Sequence, residues 1–106
     1  MNGVNRGDVF DVELPELGVR PAVVATRQEA IPVLARVTVV VVTSTVRGHP
    51  AEVPIGVAQG LDYECVANCD DIVTIGKHRL TRRRGSLRLE DLLRLDEALK
   101  VSLGLS

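Results

Sequence analysis

From Val37 to Thr45 the chain reads Val-Thr-Val-Val-Val-Val-Thr-Ser-Thr, and few structures accept such a run. β-Branched side chains lose rotamer freedom in a helix but pack well on a pleated sheet, and near-continuous apolarity suits a strand covered on both faces. The run therefore predicts a central strand. Its end is polar, because Thr43, Ser44 and Thr45 set three hydroxyls where the strand leaves the core and meets solvent.

The other elements arrange themselves around that strand. Asp8 to Leu14 alternates, with Phe10, Val12 and Leu14 on one face, which predicts a half-buried first strand. Pro15–Gly18 then reads as a short hairpin loop. Pro21 opens the run Ala22–Thr26, and a proline at a strand start costs no ladder hydrogen bond. Residues 27–34 lack periodicity and form a connection. After the turn-rich Val46–Pro50, residues 51–55 alternate around Pro54, which predicts an edge strand. Tyr63–Asn68 and Ile72–Ile75 read as two further short strands. Leu89, Leu92, Leu95, Leu99 and Leu103 then recur at three- and four-residue spacing, with Glu90 and Asp91 in the first turn and Gly104 past the last, so a helix spans 89–103. Asp96 falls near the middle of its apolar face and either lies at the margin or meets an arginine. Short strands at close spacing and one terminal helix predict a single domain over residues 1–106, mainly β, built as a strongly bent antiparallel sheet or partly open barrel.

Composition excludes several function classes. Of 106 residues, 45% are hydrophobic and 25% charged, which suits a globular chain rather than a disordered one. Phe10 and Tyr63 are the sole aromatics, so an aromatic base-stacking platform is not expected. The formal net charge of −1 gives no global reason for nucleic-acid binding. Its distribution is uneven: residues 77–94 carry seven Lys or Arg against two acids, and residues 1–19 carry one Arg against four acids. Cys65 and Cys69 would stand roughly 13 Å apart on one strand, beyond disulfide reach, and lack the further ligands of a zinc site. Both are expected to be reduced, buried and without a metal or cofactor. No apolar signal core opens the chain and no run approaches a membrane span, so a cytoplasmic location is expected.

Three places can meet an anion. Arg20 follows a loop and precedes Pro21, which narrows its backbone to extended values and aims a guanidinium from a rigid strand end at phosphate. Thr43 lies beside Arg20 if the second and third strands are neighbours, and its hydroxyl can donate to the same phosphate. The run Lys77–Arg84 can make sequence-independent phosphate contacts or be an ordinary solvated hairpin. His49 can act as acid or base near neutral pH, or be a loop bystander before Pro50.

The order of several segments, Arg6-Gly7-Asp8-Val9-Phe10, Gly18-Val19-Arg20-Pro21-Ala22-Val23-Val24, Val42-Thr43-Ser44, Cys69-Asp70-Asp71-Ile72, Gly85 and Leu95-Asp96-Glu97-Ala98-Leu99, resembles the MazF/PemK family of bacterial toxins. The resemblance runs from Arg6 to about Leu105. It implies an SH3-like small barrel of the CcdB/PemK type with a C-terminal helix, a homodimer, and metal-independent cleavage of single-stranded RNA at short motifs. It also implies a MazE-like antitoxin whose acidic tail occupies the RNA groove. The family's catalytic Arg and Thr fall on Arg20 and Thr43, and Asp70 matches an acidic position that is catalytic or structural. Glu16 in the first hairpin loop, and Ser44, Thr45, Arg47 and His49 after the central strand, are the implied substrate contacts. Three departures stand out: Phe10 where relatives often carry Trp, a short Pro15–Gly18 loop, and Asn68 where some carry Arg. The alternative is a non-nuclease toxin or interaction module of the same fold, acting on a protein such as DNA gyrase.

Overall fold

A computed structural model describes residues 3–106. Six strands and one helix follow in order: β1 (Asp8–Leu14), β2 (Gly18–Val24), β3 (Arg36–Thr43), β4 (Glu52–Ile55), β5 (Cys65–Gly76), β6 (Leu80–Ser86) and α1 (Leu89–Leu103). They form one antiparallel sheet in the order β4-β5-β3-β2-β1-β6. The valine run is an interior strand, as its composition requires, and β4 with its Pro54 is an edge.

Both faces of this sheet are apolar. Side chains alternate across a strand, so Val9, Val23, Val40 and Val42 enter one cluster together with Val53, Leu95 and Ala98, where α1 packs. Their neighbours Phe10, Val12, Val24, Val39 and Val41 enter a second cluster with Leu80. Helix α1 covers the first face together with edge strand β4 and Leu61, and Leu80 of β6 joins Val4 and Ile31, from outside the strands, over the second.

The sheet also curls, which brings opposite edges together. The segment following β4 meets β6, and a Cβ on Gly60 would overlap the Arg84 carbonyl oxygen while one on Gly85 would overlap that of Gln59. Gly60 also holds φ +95, which disfavours any side chain. Arg84 clasps the seam by donating from Nε to the Gly60 carbonyl at 3.2 Å and pairing with Asp11 at 3.2 Å and Asp62 at 2.9 Å.

Two expectations change here. The short strands anticipated at 63–68 and 72–75 are one strand, β5, running Cys65–Gly76 around a bulge: Val40 pairs with Ile72 and Val42 with Ala67, so Asn68–Asp71 stand opposite Val41 alone. The basic run is not a solvated hairpin. It is a 3-10 turn followed by β6, which pairs with β1 and ties Arg83 to the buried Asp8 and Arg84 to Asp11.

The helix has the expected bounds, and Gly104 at φ +70 ends it while the Gly104 and Leu105 amides cap the carbonyls of Val101 and Lys100. Its buried stripe is narrower than the leucine pattern suggests. Leu95 and Ala98 are buried and Leu92 and Leu99 partly so, whereas Leu89 and Leu103 are exposed. Asp96 meets an arginine, pairing with Arg6 at 2.9 Å. No described helix is long and apolar enough to cross a membrane.

If the seam limits the curl, Gly60→Ala should cost about 2–3 kcal/mol through overlap and backbone strain together. Gly48→Ala, also at positive φ but with open space around its Cβ, should cost only about 1 kcal/mol. Equal denaturant midpoints for the two variants would refute the role given to the seam.

Candidate active site

The β2–β3 ladder is short. Ala22 pairs with Val41, Val23 with Val40 and Val24 with Val39, and pairing stops there. Pro21 is the next residue on β2 and has no N–H to donate. Carried one and two residues further, the same register would set Pro21 against Val42 and Arg20 against Thr43. Opposite residues of an antiparallel pair share a face, so this register puts Arg20 and Thr43 on one face just past the last paired residues. Between them opens a cleft of about 590 Å³.

Leu17, Val19 and Arg20 line the cleft from the β1–β2 hairpin, Thr43 and Ser44 from the end of β3, and Tyr63 and Asp71 line it as well. Arg20 is exposed, and among the described residues no carboxylate pairs with it; the paired arginines Arg6, Arg83, Arg84, Arg88 and Arg94 lie elsewhere. Its fork is therefore open to an anion. The Thr43 Oγ1 accepts the Thr45 N–H at 3.1 Å. That bond uses an oxygen lone pair, leaves the hydroxyl its own proton to donate, and fixes the polar end of β3.

The bulge in β5 decides which carboxylate enters. Asn68 Oδ1 accepts the Asp70 N–H at 3.1 Å, the Cys69 N–H donates to the Ala51 carbonyl at 2.9 Å, and the Cys69 carbonyl accepts from Ser102 of α1 at 2.7 Å. The bulge interrupts the regular alternation of the strand, and the two aspartates go to different places. Asp71 lines the cleft with Arg20 and Thr43; Asp70 does not, and its carboxylate lies 3.9 Å from His49 Nδ1.

The sequence-derived substrate contacts separate in the same way. Ser44 lines the cleft. Glu16 is exposed at the apex of the β1–β2 hairpin with φ +68, next to Leu17 on the cleft bank. Thr45, Arg47 and His49 belong to the β3–β4 connection beyond the cleft. That connection is built around Glu52, whose carboxylate accepts the N–H of Arg47 at 3.0 Å and of Gly48 at 2.8 Å, with His49 Nε2 at 3.4 Å.

Removal from water alone would raise the pKa of Glu52, but the amides of Arg47, Gly48 and His49 and the imidazole charge more than reverse this and hold it below its ordinary value. The cysteines are unpaired and buried, as expected. Burial, reinforced by Asp70, pushes the Cys69 thiol up to about 11, and burial with Glu64 and Asp62 raises that of Cys65. Neither is activated as a nucleophile.

Asp71 and Tyr63 are polar residues of the cleft that the sequence does not single out, and Leu17 and Val19 add apolar lining that it does not single out either. Tyr63 is 60% exposed at the rim although aromatics are scarce. The adjacent pair Asp70-Asp71 contained the first signal, since only one of two neighbours on a strand can face a given site.

Because the folded pKa of Glu52 is depressed, its contribution is complete above the ordinary carboxyl value of about 4.3 and is lost as pH falls through the lower folded value. NMR titration should show the Arg47 and Gly48 amides shifting together on acidification, a change absent in Glu52→Gln. Flat amide shifts between about pH 5 and 2 would be incompatible with a carboxylate organising this loop.

Residues 5–103 match the family described as PemK-like, MazF-like toxin of type II toxin-antitoxin system. The chain is 39% identical to Endoribonuclease MazF3 of Mycobacterium tuberculosis over 80 residues, covering 76% of this chain and 78% of that protein. It is 35% identical to Endoribonuclease MazF9 of the same organism, covering 96% and 98%. Among solved structures it superposes on Mycobacterium tuberculosis toxin MazF-mt6 with a TM-score of 0.87 at 33% identity, over 93% of this chain and 98% of that one. A mycobacterial endoribonuclease in complex with its cognate antitoxin superposes with a TM-score of 0.89 at 29% identity, over 98% of each chain.

Proposed function

Since the chain belongs to the PemK-like, MazF-like toxin family of type II toxin–antitoxin systems, we propose that it cleaves single-stranded RNA in the cleft between β2 and β3, using Arg20 and Thr43. It is a MazF-type endoribonuclease of a toxin–antitoxin module. The observation that carries the finer reading is the register: Arg20 and Thr43 share a face where the ladder ends, with an open guanidinium and a hydroxyl whose proton is free to donate.

The nucleophile is the substrate's own. The ribose 2′-oxygen attacks the adjacent phosphorus, the bond from phosphorus to the 5′-oxygen breaks, and the products carry a 2′,3′-cyclic phosphate and a 5′-hydroxyl. DNA lacks that oxygen and is not cut. Arg20 holds the non-bridging oxygens and offsets the charge that grows on them in the phosphorane. Thr43 donates to the same phosphate and fixes its orientation. Asp71, which lines the cleft, takes the 2′-hydroxyl proton. The leaving oxygen draws its proton from water, because a guanidinium holds its protons too tightly to be a good proton donor. Loss of messenger RNA then halts translation and growth in the bacterial cytoplasm.

Two partners follow. A cognate antitoxin with an acidic tail suits a cleft whose arginine has no carboxylate of its own. A second copy of the chain suits the apolar hollow of about 760 Å³ lined by Ala25, Leu34, Ile72, Leu99 and Leu103, beside which the helix leaves Leu103 58% exposed.

Purified protein incubated in EDTA with a long unstructured RNA should give discrete fragments with cyclic-phosphate and 5′-hydroxyl ends. Arg20→Ala should lower the rate by about 10²–10³-fold, the loss expected on removing a donor aimed at developing charge, and Thr43→Ala by about 10–10²-fold. Intact RNA from the folded wild type, or undiminished cleavage by both variants, would overturn the assignment. Leu103→Glu should shift sedimentation from dimer to monomer, and an unchanged dimer would place the second copy elsewhere.

A further inference from the structure

The cleft has a neighbour that the chemistry above leaves unused. A hollow of about 240 Å³ lies beside it, and Val19, Pro21, Tyr63 and Cys65 line both. Its charged lining is made where the sheet closes: Asp11 of β1 and Arg84 of β6 keep side chains only 17% and 13% exposed. Asp62 stands at the mouth, 80% exposed.

The charges select among the parts of an RNA strand. Arg84 is committed on three sides, to the Gly60 carbonyl and to two carboxylates, so it is not an open fork for phosphate. Two carboxylates against one guanidinium leave the hollow negative, and a phosphate would be repelled. A flat, uncharged group with hydrogen-bond donors on its edge meets both needs, because ionised carboxylates only accept. Arg84 donates to Asp11 Oδ1, and no described residue donates to Asp11 Oδ2. The walls suit a flat group too. Tyr63 offers an exposed ring and Val19, 57% exposed, an apolar flank. Stranding both in water has a hydrophobic cost that an occupant would offset.

We propose that this hollow receives a nucleobase flanking the scissile phosphate, stacked on Tyr63, with an exocyclic amino group donating to Asp11. The inference rests on the ribonuclease reading and adds a rule of preference to it. Adenine, cytosine and guanine each carry such an amino group. Uracil presents carbonyl oxygens on either side of its one ring N–H, and an oxygen facing the Asp11 carboxylate leaves both without a donor. The hollow therefore admits amine-bearing bases and disfavours uracil. Asp11 and Tyr63 act on which RNA is bound rather than on the reacting atoms.

The test uses the whole chain and a pool of RNA oligonucleotides randomised around the cut, with fragments sequenced to read the preference at each position. The wild type should under-use uracil about tenfold at one flanking position, and Asp11→Asn, whose amide can donate, should erase that bias, as expected for one mismatched hydrogen bond. Tyr63→Ala should raise KM about tenfold with kcat retained, the size of one lost stacking contact, and Tyr63→Phe should restore it. If Asp11→Asn fails to fold for want of its pair with Arg84, the Tyr63 variants, altered at an exposed side chain, still decide. Wild-type KM in Tyr63→Ala, or an unchanged uracil bias in folded Asp11→Asn, overturns the inference alone. A wild type that leaves the RNA intact removes the ribonuclease reading and this inference with it.

Discussion

A strand buried on both faces has to be covered on both, and this chain has one helix with which to do it. Val39 and Val41 look one way from β3, Val40 and Val42 the other, and none is exposed. Helix α1 answers for one side through Leu95 and Ala98. The other side is answered by Leu80 of β6 and by Val4 and Ile31 from outside the strands, which gather with Phe10 and Val12. The edges meet at a seam where two backbones pass too closely for any side chain, hence Gly60 and Gly85. Strands that wrap in this way diverge at their ends, and β2 and β3 part just where Pro21 can add no further rung.

Much of this was legible in the residues because it is written as period and punctuation. The valine run, the alternation of Asp8–Leu14, the proline in β4 and the leucine spacing of α1 each name their element directly. Arg20 and Thr43 stand out in the sequence as a guanidinium and a hydroxyl at strand ends, and in the structure both line one cleft. The failures have a common cause, which is that they depend on residues far apart in the chain. β6 reads as a polar basic segment because Arg83 and Arg84 meet Asp8 and Asp11 some seventy positions away. The continuity of β5 is hidden by a bulge whose anchors are Ala51 and Ser102. For the same reason Asp70 and Asp71 look equivalent in sequence, and only the anchored bulge sends one to the cleft and the other toward His49.

Electrostatics at the two ends of the sheet are used differently. At the seam, one guanidinium is shared by two carboxylates and donates to the Gly60 carbonyl, which ties β6 to the segment after β4. In the β3–β4 connection a single carboxylate, Glu52, gathers amides that have no strand to pair with and gives an irregular segment one conformation. The cleft has neither arrangement. Its arginine is unmatched and its threonine is half satisfied, a state that carries little penalty in water and much advantage when an anion arrives.

The early end of the β2–β3 ladder has a consequence for how such a chain can change over generations. Arg20 and Thr43 lie beyond the last rung, and with Ser44 and Asp71 they stand outside both apolar clusters, so replacing them removes little of what keeps the chain folded. Inheritance can therefore alter what the cleft grips without first finding a compensating repair in the core. A scaffold divided in this way can give rise to copies with one shape and many tastes, and the valines of β3 would remain while the rim drifts.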